Sequence, residues 1–328
     1  MIEVQNLTKH YGPVTAIRDV SFNVTPGEIV GFLGPNGAGK STTMRILACF
    51  MPASSGTAKV AGFDVFGDSM EVRQRIGYLP ENVPLYSEMR VATYLDFVAE
   101  VKGVGRTLRR SRVADVMERC RIGDVQHRMI GKLSKGYRQR VGLAQAIVSD
   151  PAVLILDEPT IGLDPQQITE IRALIKSLSG DHTVILSTHI LPEVSMICEG
   201  VIIINRGSIV AQGPIDRLVE DFFPTARVHV QMVAPSPAVR EGLSKIPGVV
   251  AVREELVGDG LASYVVESGR DRDVRGEIFQ LAAQQRWELR ELRRAGMTLE
   301  EVFIRIVAGE ETEAEATVEA PPALEAEP

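Results

Sequence analysis

Near the start of the chain, between Glu28 and Thr42, an apolar run leads directly into a glycine-rich segment. Residues 28–33 are apolar enough for a buried strand, and Gly34–Ser41 fits the pattern G-x-x-x-x-G-K-[ST] without a mismatch. The glycines let the backbone curl so that successive N–H groups point inward, and the positive end of the following helix faces the same point. Such a loop binds the phosphates of a nucleotide. The sequence therefore predicts an α/β fold that contains a phosphate-binding loop.

The side chains of this loop have separate tasks. Lys40 is expected to bridge the β- and γ-phosphates as a point charge, and Ser41 to ligate the Mg²⁺ that accompanies the nucleotide. Thr42 can contact the α-phosphate. The predicted nucleotide-binding residues of the loop are Gly34, Pro35, Asn36, Gly37, Ala38, Gly39, Lys40, Ser41 and Thr42.

Two adjacent carboxylates, Asp157 and Glu158, follow the apolar residues Val153–Leu156. We expect these apolar residues to form a parallel strand that ends beside the phosphate-binding loop. Asp157 would then hold Mg²⁺ through water, and Glu158 would polarise the water that attacks the γ-phosphate. A lone pair of this kind is also typical of a helix cap or a solvated turn. After a phosphate-binding loop at this distance, it favours hydrolysis of a nucleoside triphosphate.

Three further segments follow a fixed order around these carboxylates, namely Leu133-Ser134-Lys135-Gly136-Tyr137, Gly162-Leu163-Asp164 and Ser187-Thr188-His189. Each segment is a weak signal alone, but the ordered set resembles the ATP-binding subunit of an ATP-binding-cassette (ABC) transporter over about residues 2–220. The resemblance implies a P-loop NTPase cassette with a RecA-like core, an antiparallel β lead-in and a helical insertion. It also implies ATP and Mg²⁺ as cofactors.

The resemblance assigns roles to residues outside the loop. Tyr11 would stack on adenine, with an ordinary edge-strand tyrosine as the alternative. Ser134 and Gly136 would contact the γ-phosphate bound to the opposite subunit, and Asp164 would lie at the same interface. His189 would contact the γ-phosphate and the attacking water. The family therefore implies a head-to-tail homodimer in which two ATP molecules are sandwiched.

Two departures from the family pattern change the chemistry of these segments. The family's usual signature is LSGGQ. In this chain Lys135 replaces its first glycine and Tyr137 replaces its glutamine. The glutamine that the family places after an apolar strand end falls on Glu81. A carboxylate there can still ligate Mg²⁺ or orient water, but it adds negative charge near the triphosphate.

The combination GYLPEN, LSKGYRQR and TLEEVFIRI resembles the ATPases of ABC-2-type exporters, including the gliding-motility, copper-related and drug or polysaccharide branches. Such systems have a separate transmembrane permease, which by analogy would dock on Val83–Val101. For any single residue of that segment, an ordinary amphipathic helix packed on its own core is an equally good interpretation.

The chain continues beyond the expected cassette, which covers residues 1–222. Residues 225–308 have the predicted order strand, helix, strand, strand, helix, strand, which suggests a small α+β domain, possibly ferredoxin-like. Residues 309–328 hold seven Glu and no Lys or Arg, and they are predicted to be disordered. Without this tail the chain has 36 acidic and 36 basic residues, so its charge gives no support to a nucleic-acid-binding surface.

The remaining composition indicates where such a protein works. No apolar stretch approaches the ~20 residues of a membrane span, and the N-terminus lacks a signal sequence. Cys49, Cys120 and Cys198 are far apart, and we expect them to be buried as small apolar residues. The sequence thus predicts a cytoplasmic ATPase, peripheral on the inner face of the membrane and in contact with it only through the permease.

Two alternatives remain open from the sequence alone. One is a soluble ABC ATPase that acts on ribosomes or DNA, although the chain has one cassette and no sustained heptads. The other is a regulatory module whose second domain senses a ligand.

Overall fold

The computed structural model describes residues 1–222, 225–233, 236–258, 261–269, 272–295 and 298–306. The chain divides into two compact units, Met1–Ile215 and Asp216–Ala308. The division between the units falls at residue 215, before the expected domain end at residue 222. The expected boundary stays a prediction. The acidic segment 309–328, predicted to be disordered, lies outside the described residues.

The first unit combines strands and helices in alternation. Its strands are β1 (Ile2–Tyr11), β2 (Val14–Val24), β3 (Ile29–Leu33), β4 (Ser55–Val60), β5 (Phe63–Asp64), β6 (Ile76–Leu79), β7 (Val153–Asp157), β8 (Thr183–Thr188), β9 (Gly200–Asn205) and β10 (Ser208–Pro214). Its helices are α1 (Lys40–Leu47), α2 (Ser69–Arg75), α3 (Val91–Val101), α4 (Arg106–Arg119), α5 (Lys135–Ile147), α6 (Pro165–Lys176) and α7 (Leu191–Ile197).

An antiparallel sheet leads into the cassette, as predicted. Its strands lie in the order β2-β1-β4-β5. Along β1, Ile2 and Val4 are buried while Glu3 between them is exposed, which is the alternation expected of a strand with one face on a core. Buried residues of this sheet form part of an apolar cluster of the first unit.

The second sheet positions the phosphate-binding loop. Its order is β10-β9-β3-β8-β7-β6, and all neighbouring pairs are parallel except the hairpin of β9 and β10. Strand β8 lies between β3 and β7, with Leu33 opposite Thr188 and Asp157 opposite Ser187. The carboxyl ends of these three strands therefore meet at one edge of the sheet, where ligands bind in open α/β folds.

The helices on either side of the carboxylate strand along the chain, α5 and α6, have capped N-termini. The Ser134 hydroxyl accepts a hydrogen bond from the backbone N–H of Tyr137 at 3.4 Å and caps α5. The Asp164 carboxylate accepts one from the backbone N–H of Gln167 at 2.8 Å and caps α6. Helices α3 and α4 form the helical insertion between β6 and β7.

Close packing between β6 and α5 requires Gly77. A Cβ atom on this residue would lie 2.0 Å from Ala146 O and 2.6 Å from Leu154 Cδ2. Because backbone atoms of α5 cannot yield easily, we expect Gly77→Ala to destabilise the first unit by about 1–3 kcal/mol. Urea unfolding of the intact chain, followed by circular dichroism, measures the loss.

Gly123→Ala is the matched control for that prediction, because a Cβ atom at Gly123 has no neighbour within 4 Å. The sole tryptophan, Trp287, lies in the second unit, so its fluorescence reports that unit separately. Equal unfolding midpoints for Gly77→Ala and Gly123→Ala would contradict the packing argument.

The second unit contains a four-stranded antiparallel sheet among its described residues. Helix α8 (Ile215–Phe222) begins at the last residue of the first unit and continues in the second. The further elements of the second unit are β11 (Thr225–Val233), α9 (Ser236–Ser244), β12 (Val249–Gly258), β13 (Leu261–Gly269), α10 (Arg275–Gln285), β14 (Glu288–Ala295) and a helix over 299–306. The strand order is β12-β13-β11-β14. Its core brings Val230 and Tyr264 from the sheet together with Leu243 of α9 and Ile278 of α10. The predicted succession of strands and helices is observed.

The three cysteines, Cys49, Cys120 and Cys198, are buried and free. Burial raises the pKa of each thiol, to about 12 in Cys120. They pack as small apolar residues with little thiolate character, as the sequence predicted.

Among the described residues, no helix combines the length and the apolar character that crossing a membrane requires.

Candidate functional site

The phosphate-binding loop connects β3 to α1. Two of its glycines have a left-handed backbone that side chains rarely adopt, Gly37 with φ +80° and Gly39 with φ +108°. A Cβ atom on Gly39 would also lie 2.5 Å from Ile17 Cγ2. Helix α1 begins at Lys40, so its unpaired backbone N–H groups face the loop. The strand-loop-helix geometry is the one that the sequence predicted.

Lys40 lies inside this loop and is only 6% exposed. Its ammonium group donates to Gly34 O at 2.8 Å and to Pro35 O at 3.2 Å, and lies 3.7 Å from Glu158 Oε1. Burial lowers the pKa of Lys40, and the carboxylates of Glu158 and Asp157 act in the opposite direction. A buried ammonium group gains strongly from an anionic acceptor, because little water competes for its hydrogen bonds.

Asp157 lies at the carboxyl end of β7 and is 1% exposed. Its Oδ1 accepts hydrogen bonds from Ser41 Oγ at 3.1 Å and from Ser187 Oγ. Its Oδ2 is buried and has no hydrogen-bond partner among the described residues. A buried carboxylate oxygen of this kind needs a donor or a cation.

These oxygens fit Mg²⁺. A serine hydroxyl and a carboxylate are the hard ligands that Mg²⁺ prefers, and the ion commonly takes its other ligands from phosphates and water. In the described part of the chain no group of three or more His, Cys, Asp and Glu side chains could hold a metal ion. Ser41 and Asp157 would therefore hold the ion only together with the phosphates of a bound nucleotide.

Glu158 turns away from Asp157 because its backbone is left-handed, with φ +50°. Its backbone N–H is held by Ser187, with contacts of 3.1 Å to the carbonyl oxygen and 3.0 Å to the hydroxyl. Both oxygens of its carboxylate lie 3.0 Å from His189 Nδ1. Such backbone strain in a non-glycine residue often occurs at a functional site. The arrangement aims a buried carboxylate and an imidazole at the same space above the loop.

A cavity of about 550 Å³ opens in front of these groups. Its lining from the loop and α1 consists of Asn36, Gly37, Gly39, Lys40, Ser41 and Thr42. Glu81, Glu158 and His189, three further predicted site residues, reach the same cavity from three other segments. Ala16 and Ile161 also line it, and no motif pointed to either of them. Gly34, Pro35, Ala38 and Asp157 are not lining residues; of these, Gly34 and Pro35 hold Lys40 through their carbonyl groups.

Four predicted site residues lie off this cavity. Tyr11 is 44% exposed and its hydroxyl donates to Met51 Sδ at 3.0 Å. Ser134 and Asp164 cap their helices, and Gly136 packs so closely on α6 that a Cβ atom would lie 2.3 Å from the Gln167 side-chain oxygen. The structure of the single chain thus does not bring these four residues to the phosphate-binding loop.

Known proteins are similar to this chain in sequence and in fold. The family model described as ABC transporter matches residues 17–161. The ATP-binding protein NatA of Bacillus subtilis is 38% identical over 209 residues, which are 63% of this chain and 85% of NatA. The Nod factor export ATP-binding protein I of Paraburkholderia xenovorans is 32% identical over 311 residues, which are 94% of this chain and 97% of that protein.

Solved structures agree with these matches. The ATP-binding subunit of an ABC transporter has a TM-score of 0.64 and 29% identity, over 68% of this chain and 93% of that one. A dimeric structure of the bacterial ABC transporter cassette MJ0796 has a TM-score of 0.61 and 25% identity, over 65% of this chain and 98% of that one. The chain therefore belongs to the ABC transporter family, in which it is an ATP-binding subunit that hydrolyses ATP.

Proposed function

We propose that this chain is the ATP-hydrolysing subunit of an ABC-2-type exporter and that it powers a separate transmembrane permease. The observation that carries the chemistry is the meeting of Lys40, Glu158 and His189 at one cavity beside the paired Ser41 and Asp157. The relatives named for Nod factor export and for bacitracin transport support the exporter assignment. The match to the Nod factor protein covers 94% of the chain and so includes the second unit.

In this proposal each side chain has one task. Lys40 and the backbone of the loop bind the β- and γ-phosphates, and Ser41 and Asp157 hold Mg²⁺ on them. Mg²⁺ neutralises phosphate charge when bound. Glu158 orients the attacking water and accepts its proton, while His189 contacts the γ-phosphate. Glu81 is a further ligand of Mg²⁺ or of water.

Three of the four residues off the cavity take part from a second copy of the chain. Ser134, Gly136 and Asp164 would contact the ATP bound to the partner, which gives a homodimer with the nucleotides sandwiched between its subunits. The dimeric structure of the MJ0796 cassette supports this arrangement. Tyr11 would stack on the adenine of the ATP bound by its own chain.

The permease would dock on Val83–Val101. An apolar cavity of about 580 Å³ borders this segment and is lined in part by Val83 and Tyr94. Tyr86 and Phe97 pack on each other with ring centroids 5.8 Å apart, yet they remain 52% and 40% exposed. Exposed aromatic residues beside an apolar cavity are typical of a protein interface.

The remaining assignments follow from this proposal. Residues 1–222 are the cassette, and residues 225–308 are a ferredoxin-like domain. The sheet order β12-β13-β11-β14 supports the second assignment, as do the helices α9 after β11 and α10 after β13 along the chain. The protein works in the cytoplasm, peripheral on the inner face of the membrane, and reaches the membrane through the permease alone.

Affinity purification of the Glu158→Gln protein from detergent-solubilised native membranes with ATP and Mg²⁺, followed by mass spectrometry, tests the exporter assignment. We expect a stoichiometric multi-span protein, and less of it when Lys40→Ala is used as the bait. Recovery of ribosomes, of DNA-bound proteins or of no membrane protein would overturn the assignment in favour of a soluble ABC ATPase.

A further inference from the structure

A further carboxylate is buried in the first unit and does not line the nucleotide cavity. Glu193 lies in α7 and is 1% exposed. Its Oε2 accepts hydrogen bonds from Thr160 Oγ1 at 2.9 Å and from Thr188 Oγ1 at 3.1 Å. Its Oε1 accepts one from Arg172 Nη2 at 3.2 Å. One side chain thus connects three segments that are distant in sequence.

Two of these segments carry the groups that face the γ-phosphate in the proposed function. Thr160 follows Glu158 by two residues, and Thr188 directly precedes His189. The Thr188 hydroxyl also accepts a hydrogen bond from the backbone N–H of Ile190 at 3.0 Å, so the backbone on both sides of His189 is tied to Glu193. The third segment, α6 with Arg172, begins directly after Asp164.

Stability alone is a weak reason for this arrangement. Taking a carboxylate and a guanidinium out of water costs about as much as their attraction returns, and well-packed apolar residues often do as well. Arg172 Nε even lacks a hydrogen-bond partner among the described residues. Glu193 instead supplies one acceptor oxygen for two threonine hydroxyls. Both hydroxyls can reach that oxygen only when the segments that carry Thr160 and Thr188 keep a fixed position relative to each other.

We propose that Glu193 is a positioning residue for ATP hydrolysis. It holds the loop after β7 and the loop after β8 in register, so that the His189 imidazole stays against the Glu158 carboxylate. The inference rests on the roles that the proposed function gives to Glu158 and His189. It predicts that losing the Glu193 hydrogen bonds lowers kcat without weakening ATP binding, because these bonds go to Thr160, Thr188 and Arg172 and not to the phosphate-binding loop.

Thr160→Val in the intact chain tests this most sharply. Valine has nearly the same shape as threonine, so the change removes one hydroxyl from a residue that is 2% exposed. Thr183→Val is the matched control. Thr183 is 1% exposed, lies at the opposite end of β8 from Thr188, and uses its hydroxyl for a single hydrogen bond from the backbone N–H of Gly27 at 3.0 Å.

We expect Thr160→Val to lower kcat roughly 10-fold or more, with an unchanged Kd for ATP, since a small misplacement of reacting groups is costly. Both variants should lower the melting temperature by a similar amount. Thr183→Val should nevertheless leave kcat at the wild-type value. A wild-type kcat in both variants, or an equal loss of kcat in both, would overturn the proposal.

A double-mutant cycle with His189→Ala, measured by single-turnover hydrolysis, separates positioning from general destabilisation. If Glu193 acts through His189, Thr160→Val has little further effect in the His189→Ala background. Full additivity of the two losses contradicts the inference. Turnover of Glu158→Gln is measured in parallel. Normal hydrolysis by that variant would contradict the proposed roles of the site residues themselves. Slow hydrolysis by Glu158→Gln together with normal turnover of Thr160→Val would contradict only the role of Glu193.

Discussion

Glu158→Gln should lower the rate of ATP hydrolysis by roughly 10²–10⁴-fold, the usual contribution of a general base, while ATP binding is kept. The change is nearly isosteric at a residue that is 5% exposed, and it leaves the hydrogen bonds of Ser187 to the Glu158 backbone in place. The amide can still contact His189, but it cannot accept the proton of the attacking water. Removing a negative charge 3.7 Å from Lys40 also favours the binding of a triphosphate.

Steady-state phosphate release and ATP affinity measure the two halves of this prediction, and size-exclusion chromatography with ATP shows whether the variant accumulates as a dimer. Glu170→Gln is the matched control. That half-buried carboxylate pairs with Arg140 and Arg121 and does not line the cavity, so its variant should hydrolyse ATP normally. A Glu158→Gln protein with near wild-type turnover would show that another group activates the water.

Lys40→Ala should weaken ATP binding by roughly 10- to 150-fold, which corresponds to the loss of one hydrogen bond to a charged group. The variant loses the buried cation that faces the phosphates, and the carboxylates of Asp157 and Glu158 then repel the triphosphate without compensation. The fold should survive, because the ammonium group of Lys40 bonds to two carbonyl groups of its own loop and pairs with Glu158, all within the binding site.

Isothermal titration with ATP and Mg²⁺ measures this loss, and the melting temperature without nucleotide checks the fold. Lys176→Ala is the control, since the Lys176 ammonium group is bonded to Met196 O at 3.4 Å on an exposed part of α6. An unchanged Kd in Lys40→Ala would place the phosphates elsewhere in the cavity.

The adjacent carboxylates show where sequence reasoning succeeds. Their position after four apolar residues predicted a strand end, and the order of acid residues predicted one ligand and one base. The structure confirms the strand end, while the division of roles stays a prediction. The backbone of Glu158 is left-handed, and the two side chains have different partners. Asp157 faces two serine hydroxyls, whereas Glu158 faces Lys40 and His189.

Several predicted roles require more than one chain or a ligand, so the single chain leaves them as predictions. Ser134 and Asp164 cap their own helices here, Gly136 packs against Gln167 of α6, and Tyr11 contacts Met51. Their proposed partners are a second subunit and an adenine ring. No intramolecular contact can report on either.

By itself the sequence determined what short stretches of chain decide. The glycines and Lys40 specify a phosphate-binding loop and apolar runs specify buried strands, because each of these depends on neighbours within a few residues. The succession of elements in the second unit was accessible for the same reason.

Tertiary structure alone decided which strand ends meet. Placing β8 between β3 and β7 brings His189 against Glu158 and Ser187 against Asp157, although about thirty residues separate each pair. The same placement buries Glu193 between Thr160, Thr188 and Arg172, a cluster without any local pattern. Strand order depends on long-range packing of similar apolar strands, and the sequence of each strand alone does not encode its neighbours.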